Sequence, residues 1–254
     1  MIQASYKHSP YSRVLVTLPF ALRRATGRGV RIALIDSGVN ARHSHVGFVA
    51  GGTTVSVEEN GQVCFGEDYA DRIGHGTALA GVLRAKAPQA ELFAVKIFGD
   101  RLATSILVLD AALRWAIEHQ MHVINLSLGT ANPAHRERLA TTVMDAETAG
   151  TIIVASSPPQ EEPMLPASFP DVIGVAGDER CGWIDYLYLP ESPIPFRAHP
   201  CPRPLPGPAQ ARNFQGHSFA SAHVSALLAL WCEIYPGKTT TDAKEFFATH
   251  FKKA

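Results

Sequence analysis

Apolar positions fall along this chain in two rhythms: short β-branched runs, and longer stretches where they recur every three or four residues. Val30 to Ile35 is one such run and predicts a strand buried on both faces, with Asp36 at its carboxyl end. Glu91 to Ile97, Val123 to Leu128, Thr151 to Ala155 and Val172 to Ala176 predict further strands. Helical spacing covers His75 to Arg84, Ser105 to His119, Arg136 to Ala149 and Ser218 to Trp231. In the last of these, Ala220, Val224, Leu227, Leu228 and Trp231 form a core-facing stripe, which places Ser218 at a helix N-terminus. Pro19 to Thr26 predicts a short helix ended by Gly27 and Gly29, and Gly51 to Tyr69 predicts loops and a hairpin. Residues 1–13 are polar and are expected to be poorly anchored.

Strands alternating with helices argue for an α/β fold, a mostly parallel central sheet with helices on both faces. Prolines recur every few residues from Pro190 to Pro208, and proline has no backbone N–H to give a ladder. That segment is therefore expected to be an ordered, extended surface loop and not a central strand. No repeat and no break in composition divides the 254 residues, so 1–254 is expected to be a single domain.

Composition narrows the function classes. Lysine plus arginine equals aspartate plus glutamate at 23 each, which leaves no basic field for nucleic acid. Val14 to Leu22 is interrupted by Thr17 and Pro19 and lacks a small-residue cleavage pattern after it, so it is not expected to be a signal peptide. No apolar run approaches the roughly 20 residues that span a bilayer. The expectation is a soluble, cytoplasmic protein with no membrane or nucleic-acid partner. Cys64, Cys181, Cys201 and Cys232 form no C-x-x-C pair, which argues against zinc. Four reduced thiols are expected, with a Cys181–Cys201 disulfide across the proline-rich segment as the alternative.

Three stretches carry the chemistry: Ile32-Ala-Leu-Ile-Asp-Ser-Gly38, Gly74-His-Gly-Thr-Ala78 and Gly216-His-Ser-Phe-Ala-Ser-Ala222. They supply an Asp, a His and a Ser beside glycine or other small residues. A serine hydroxyl needs a base to take its proton and a third group to hold that base in the right tautomer. Asp36, His75 and Ser218 are that cast. A nucleotide site is disfavoured, because Gly27-x-Gly29 precedes its strand instead of following it.

With Val123-Ile-Asn-Leu-Ser-Leu-Gly129 and Ser221-x-His-Val224 added, the chain resembles the subtilisin-like serine peptidases, the subtilases, from about residue 19 to about 235. The resemblance implies that family's three-layer fold, with Ser218 as nucleophile, His75 as general base and then acid, and Asp36 as its orienting carboxylate. It also implies that Ser127, Leu128 and Gly129 pair with the substrate backbone and wall the pocket for the side chain before the cut. Leu102, Ala103 and Thr104 would form the opposite edge, so that an extended peptide lies between them as an added strand.

The pattern breaks in several places. The family has an asparagine after the strand matching Thr151 to Ala155, and its amide donates to the oxyanion. Here Ser156-Ser-Pro-Pro-Gln160 puts proline at the aligned position, and proline offers no donor. The Ser218 backbone N–H would remain, and Ser157, Gln160 or His217 are candidate replacements. A cationic His217 would donate strongly but would disfavour protonation of His75. Ala222 stands in place of the family's proline, and a looser helix start is expected. His45 stands where many members have a calcium-binding aspartate, so no calcium is expected there, and no other metal or cofactor. About 18 residues precede the first predicted helix, so no prodomain is expected. The leading expectation is a serine endopeptidase acting on a restricted protein or precursor peptide. A peptide macrocyclase or ligase on the same fold and a catalytically impaired peptide-binding pseudoprotease are the alternatives.

Overall fold

The computed structural model describes residues 15–16 and 19–251, and the expectation for residues 1–13 lies outside them. Among these residues ten strands form one sheet: β1 (Leu15–Val16), β2 (Arg31–Asp36), β3 (Gly51–Val57), β4 (Val63–Gly66), β5 (Glu91–Lys96), β6 (Val123–Leu126), β7 (Ile152–Ser156), β8 (Val172–Gly177), β9 (Tyr186–Tyr188) and β10 (Phe196–Ala198). Five helices cover it: α1 (His75–Lys86), α2 (Ile106–Glu118), α3 (Arg136–Thr148), α4 (His217–Ile234) and α5 (Thr240–Phe251). The strand order is β1-β9-β10-β8-β7-β6-β2-β5-β3-β4. The run from β10 to β3 is parallel, and antiparallel pairs close both edges, β3 with β4 at one and β10, β9 and β1 at the other.

Alternation along the strands makes three layers. In β2, Ile32 and Leu34 enter the core built with Leu79, Leu83, Phe219, Val224, Leu228 and Trp231 of α1 and α4. Ala33 and Ile35 face the other way, into the core made with Leu109, Leu113, Leu139 and Val143 of α2 and α3. A strand covered on both faces has no polar side to show, which is why Ile32 to Ile35 within β2 is an unbroken apolar run. Each fully buried Leu or Ile contributes about 1.5–3 kcal/mol, and the two cores together fix the sheet between the helices.

The predicted helices are present with shifted ends. Ser105 lies just outside α2 and caps it, its hydroxyl accepting from the Val108 N–H. Pro19 to Thr26 makes only a 3₁₀ turn, Phe20–Leu22. The Gly51 to Tyr69 segment contains the expected hairpin.

The proline-rich segment is not the loop that was expected. Phe196 to Ala198 is a buried strand inside the sheet, parallel to β8 and antiparallel to β9. Pro195 and Pro200 flank those residues and leave all three N–H groups available, so proline bounds the strand without interrupting its ladder. The packed core also reaches beyond residue 235, because Ala243 and Phe247 of α5 are buried against α4. All four cysteines are free thiols, Cys181 and Cys201 being buried. No helix among the described residues is long and apolar enough to cross a membrane.

Candidate active site

The order in which strands join the sheet places the site. The chain passes from β2 to β3 and β5 on one side, then crosses to β6 on the other, so the switch point lies between β2 and β6. Asp36 ends β2, and Ser127 follows β6 directly. Both therefore stand at the carboxyl edge where the crevice opens.

Asp36 is fully buried. Its Oδ1 accepts from the Ser37 N–H at 2.8 Å and faces Nδ1 of His75 at 2.7 Å, while Oδ2 is buried with no partner. With Nδ1 held as the donor, Nε2 of His75 is left as the acceptor, the tautomer a general base needs. His75 is the first residue of α1, and glycines on either side make that placement possible. Gly74 before it takes φ +91°, the left-handed region. A Cβ on Gly76 would lie 2.1 Å from the Gly38 oxygen and 3.2 Å from Asp36 Oδ1. Only a bare Cα brings the helix this close to the carboxylate.

Sequence reasoning missed Asp71, which secures that helix start. Its carboxylate accepts from the N–H groups of Ile73, Gly74 and Thr77 and from the hydroxyls of Thr77 and Ser37. Although burial acts to raise it, these bonds hold the Asp71 pKa below the ordinary carboxylate value. An acid just ahead of an apolar helix was the available signal. Ser37 completes the tie by accepting from the Gly76 N–H at 2.9 Å.

Ser218 is the second residue of α4, where backbone N–H groups have no partner within the helix. Its hydroxyl donates to the Ser127 carbonyl at 3.1 Å, and no hydrogen bond joins it to His75. The Phe219 ring, next along the chain, packs 5.3 Å from the His75 imidazole, and Phe214 meets that imidazole edge-on at 6.3 Å. The structure thus joins Asp36 to His75 directly and sets Ser218 on the neighbouring helix, turned toward Ser127.

Ser127 belongs to a buried polar chain between β6 and α4. Asn125 Nδ2 donates to Ser127 Oγ at 2.9 Å, Ser225 donates to Asn125 Oδ1 at 2.9 Å, and Ser221 lies 3.5 Å from Ser127 Oγ. Gly129 packs against Met164 and Leu165, and Thr130 pairs with Leu165 through two backbone bonds of 2.9 Å. Leu102, Ala103 and Thr104 lie in the loop before α2, with Leu102 52% exposed.

The oxyanion candidates are arranged unequally. Ser157 donates to the Pro158 oxygen and accepts from the Met164 N–H, so its hydroxyl is spent on its own loop. Gln160 gives its amide to the Glu162 oxygen. His217 accepts from the Gly177 N–H through Nδ1 at 2.9 Å, which leaves the proton on Nε2. Burial first, then the nearby Arg197 charge, pushes the His217 pKa down, so its ring is neutral around pH 7.

Among the described residues no group of three or more His, Cys, Asp or Glu side chains is placed to hold a metal. The surroundings of His45 do not fit calcium, because its Nε2 is taken by the Arg203 guanidinium and a cation occupies the ligand's place.

Comparison with known proteins gives the same picture. The model of the subtilase family matches residues 27–181. A thermostable alkaline protease of Halalkalibacterium halodurans is 29% identical over 232 residues, covering 86% of this chain and 61% of that protein. Subtilisin Savinase of Lederbergia lenta is 34% identical over 158 residues, 58% of this chain and 55% of the relative. Subtilisin E of Bacillus subtilis is 28% identical over 237 residues, 87% of this chain and 60% of the relative. The chain thus spans about three fifths of the length of the curated relatives it matches.

Proposed function

Because the chain belongs to the subtilase family, we propose that it is a serine endopeptidase that cleaves a restricted protein or precursor-peptide substrate. The observation that carries this reading is the 2.7 Å contact between His75 Nδ1 and buried Asp36, with Ser218 at the start of the adjoining helix. In the reaction the Ser218 hydroxyl swings from the Ser127 oxygen to His75 Nε2. Its Oγ attacks the scissile carbonyl carbon as His75 takes the proton. Asp36 holds the imidazolium so formed. His75 then gives that proton to the leaving amine, the C–N bond breaks, and an acyl group remains on Oγ. A water molecule, deprotonated by His75, releases the acid and restores the serine.

The developing oxyanion is met by the Ser218 backbone N–H and by His217 Nε2–H. A neutral His217 resolves the conflict expected from a cationic one, because it donates without repelling the imidazolium of His75. The substrate chain lies extended between Ser127 to Gly129 and Leu102 to Thr104, held through its backbone. We take residues 1–254 as one catalytic domain. Four unpaired thiols suit a reducing, cytoplasmic setting, which cell fractionation with an antibody would check.

Two observations favour the peptide-binding alternative: Pro158 carries no side-chain donor, and Ser218 is turned away from its base. A fluorophosphonate probe separates the two. Labelling of wild-type protein, lost in Ser218→Ala, together with cleavage of a proteome-derived peptide mixture, supports the endopeptidase. Folded protein that binds peptides and never labels supports the alternative. Product mass distinguishes ligation, since hydrolysis adds a water and cyclisation does not.

A further inference from the structure

Beside the site is a cavity of about 580 Å³ with an unusual balance of charge. Its floor is the outer face of α1, from Gly74 to Ala85, and its walls are the segments around His43 to His45 and Pro202 to Phe214. Three arginines line it, Arg72, Arg203 and Arg212, against a single acid, Asp71. Asp71 is already spent on the N–H groups and hydroxyls that start α1. Arg72 faces Asp68 at 3.5 Å, but no carboxylate pairs with Arg203 or Arg212 among the described residues.

Arg203 is held in place. Its guanidinium donates to His45 Nε2, and its carbonyl accepts from Asn213 Nδ2 at 2.7 Å. The Gln210 side chain ties the same loop, accepting from the Leu205 N–H at 2.8 Å. A guanidinium fixed on an ordered loop, without an anion, is prepared to take one.

The position gives the anion a source. Gly74 and Phe214 line the cavity, and Phe214 also packs on His75. His75 hands its proton to the departing amine, so the departing segment lies over His75, away from Ser127 to Gly129. The cavity is next along that path. We infer that it receives a carboxylate of the departing segment, either an acidic side chain or the chain terminus, and so selects substrates acidic just after the cut. The site rests on the endopeptidase reading for its role, though not for its capacity to bind carboxylate.

Binding is measured by fluorescence anisotropy on the full-length Ser218→Ala protein, which keeps the cavity and turns nothing over. Three labelled tetrapeptides serve as probes: glutamate amide, glutamine amide, and glutamine with a free terminal carboxylate. At low salt a carboxylate-bearing probe is expected to bind about 10- to 100-fold tighter than glutamine amide. Arg203→Ala and Arg212→Ala each remove most of that margin, while Arg24→Ala leaves it intact. Preference for glutamate amide alone assigns a side-chain carboxylate. Preference for the free terminus alone assigns the chain end, and preference for both means that either is accepted. Equal affinity for all three probes, or an equal loss from Arg24→Ala, overturns the inference. If fluorophosphonate never labels Ser218 in the wild type, the endopeptidase reading fails, while the anisotropy result still decides the site.

Discussion

Ser218 gives its hydroxyl hydrogen to the Ser127 carbonyl oxygen, 3.1 Å away, and makes no bond to His75. This neutral bond is worth about 1 kcal/mol, so rotation toward the base lowers the rate less than tenfold. Ser218→Ala removes only this bond. Its thermal midpoint is expected within about 4 °C of wild type, with fluorophosphonate labelling abolished. A much larger fall in midpoint would make the hydroxyl a structural element first.

Gly76 tests how closely α1 must approach Asp36. In Gly76→Ala the new methyl meets the Gly38 oxygen and presses on Asp36 Oδ1. Stability is expected to fall by more than about 2 kcal/mol, and turnover by more than about 10²-fold as the His75 contact opens. Gly99→Ala, with nothing within 4 Å, is the control and should stay within about 0.5 kcal/mol in urea unfolding.

If His217 donates to the oxyanion, His217→Ala should reduce kcat by about 10²–10³-fold with KM little changed. Loss through KM alone would mean that the residue only shapes the cleft. Pro158→Asn in the His217→Ala background is expected to restore part of the rate by returning an amide donor.

Stability should peak near pH 9. Burial pulls Lys86 down to about 7, although nearby Asp185 and Cys181 favour its charge. Above that pH the unfolded chain still holds this proton and the folded chain has lost it, so stability rises with pH. Burial pushes the Cys181 and Cys232 thiols up to about 12, which together outweigh Lys86 above pH 9, and buried Tyr186 is also raised. Above pH 9 the folded chain keeps protons that the unfolded chain releases, and stability falls. Urea midpoints at pH 7.0 and 8.5 should differ in wild type and converge in Lys86→Met. A difference that persists unchanged in the variant would assign the slope elsewhere.

Much of this was legible in the residues. Strands such as Arg31 to Asp36 announce themselves because both faces are covered and the interior, Ile32 to Ile35, is wholly apolar. Asp36, His75 and Ser218 were legible because each lies in a stretch holding glycine or other small residues, and Gly76 beside His75 shows the reason in atoms. Phe196 to Ala198 was hidden because three residues between prolines carry no periodicity, and their burial depends on Val175 to Gly177 across the ladder. The Ser218 rotamer, the orphaned guanidiniums and the Asn125 to Ser225 bond were also illegible. The Ser218 and Asn125 bonds join residues 91 and 100 positions apart, and no local pattern encodes such meetings.

The polar chain through Asn125, Ser127, Ser221 and Ser225 runs from the wall that would grip a peptide to the helix that would attack it. Gripping and attacking are then not separable modules. A variant that recuts the wall to admit a new side chain would also retune the reactivity of the nucleophile, so selectivity and speed in this molecule would evolve as one trait.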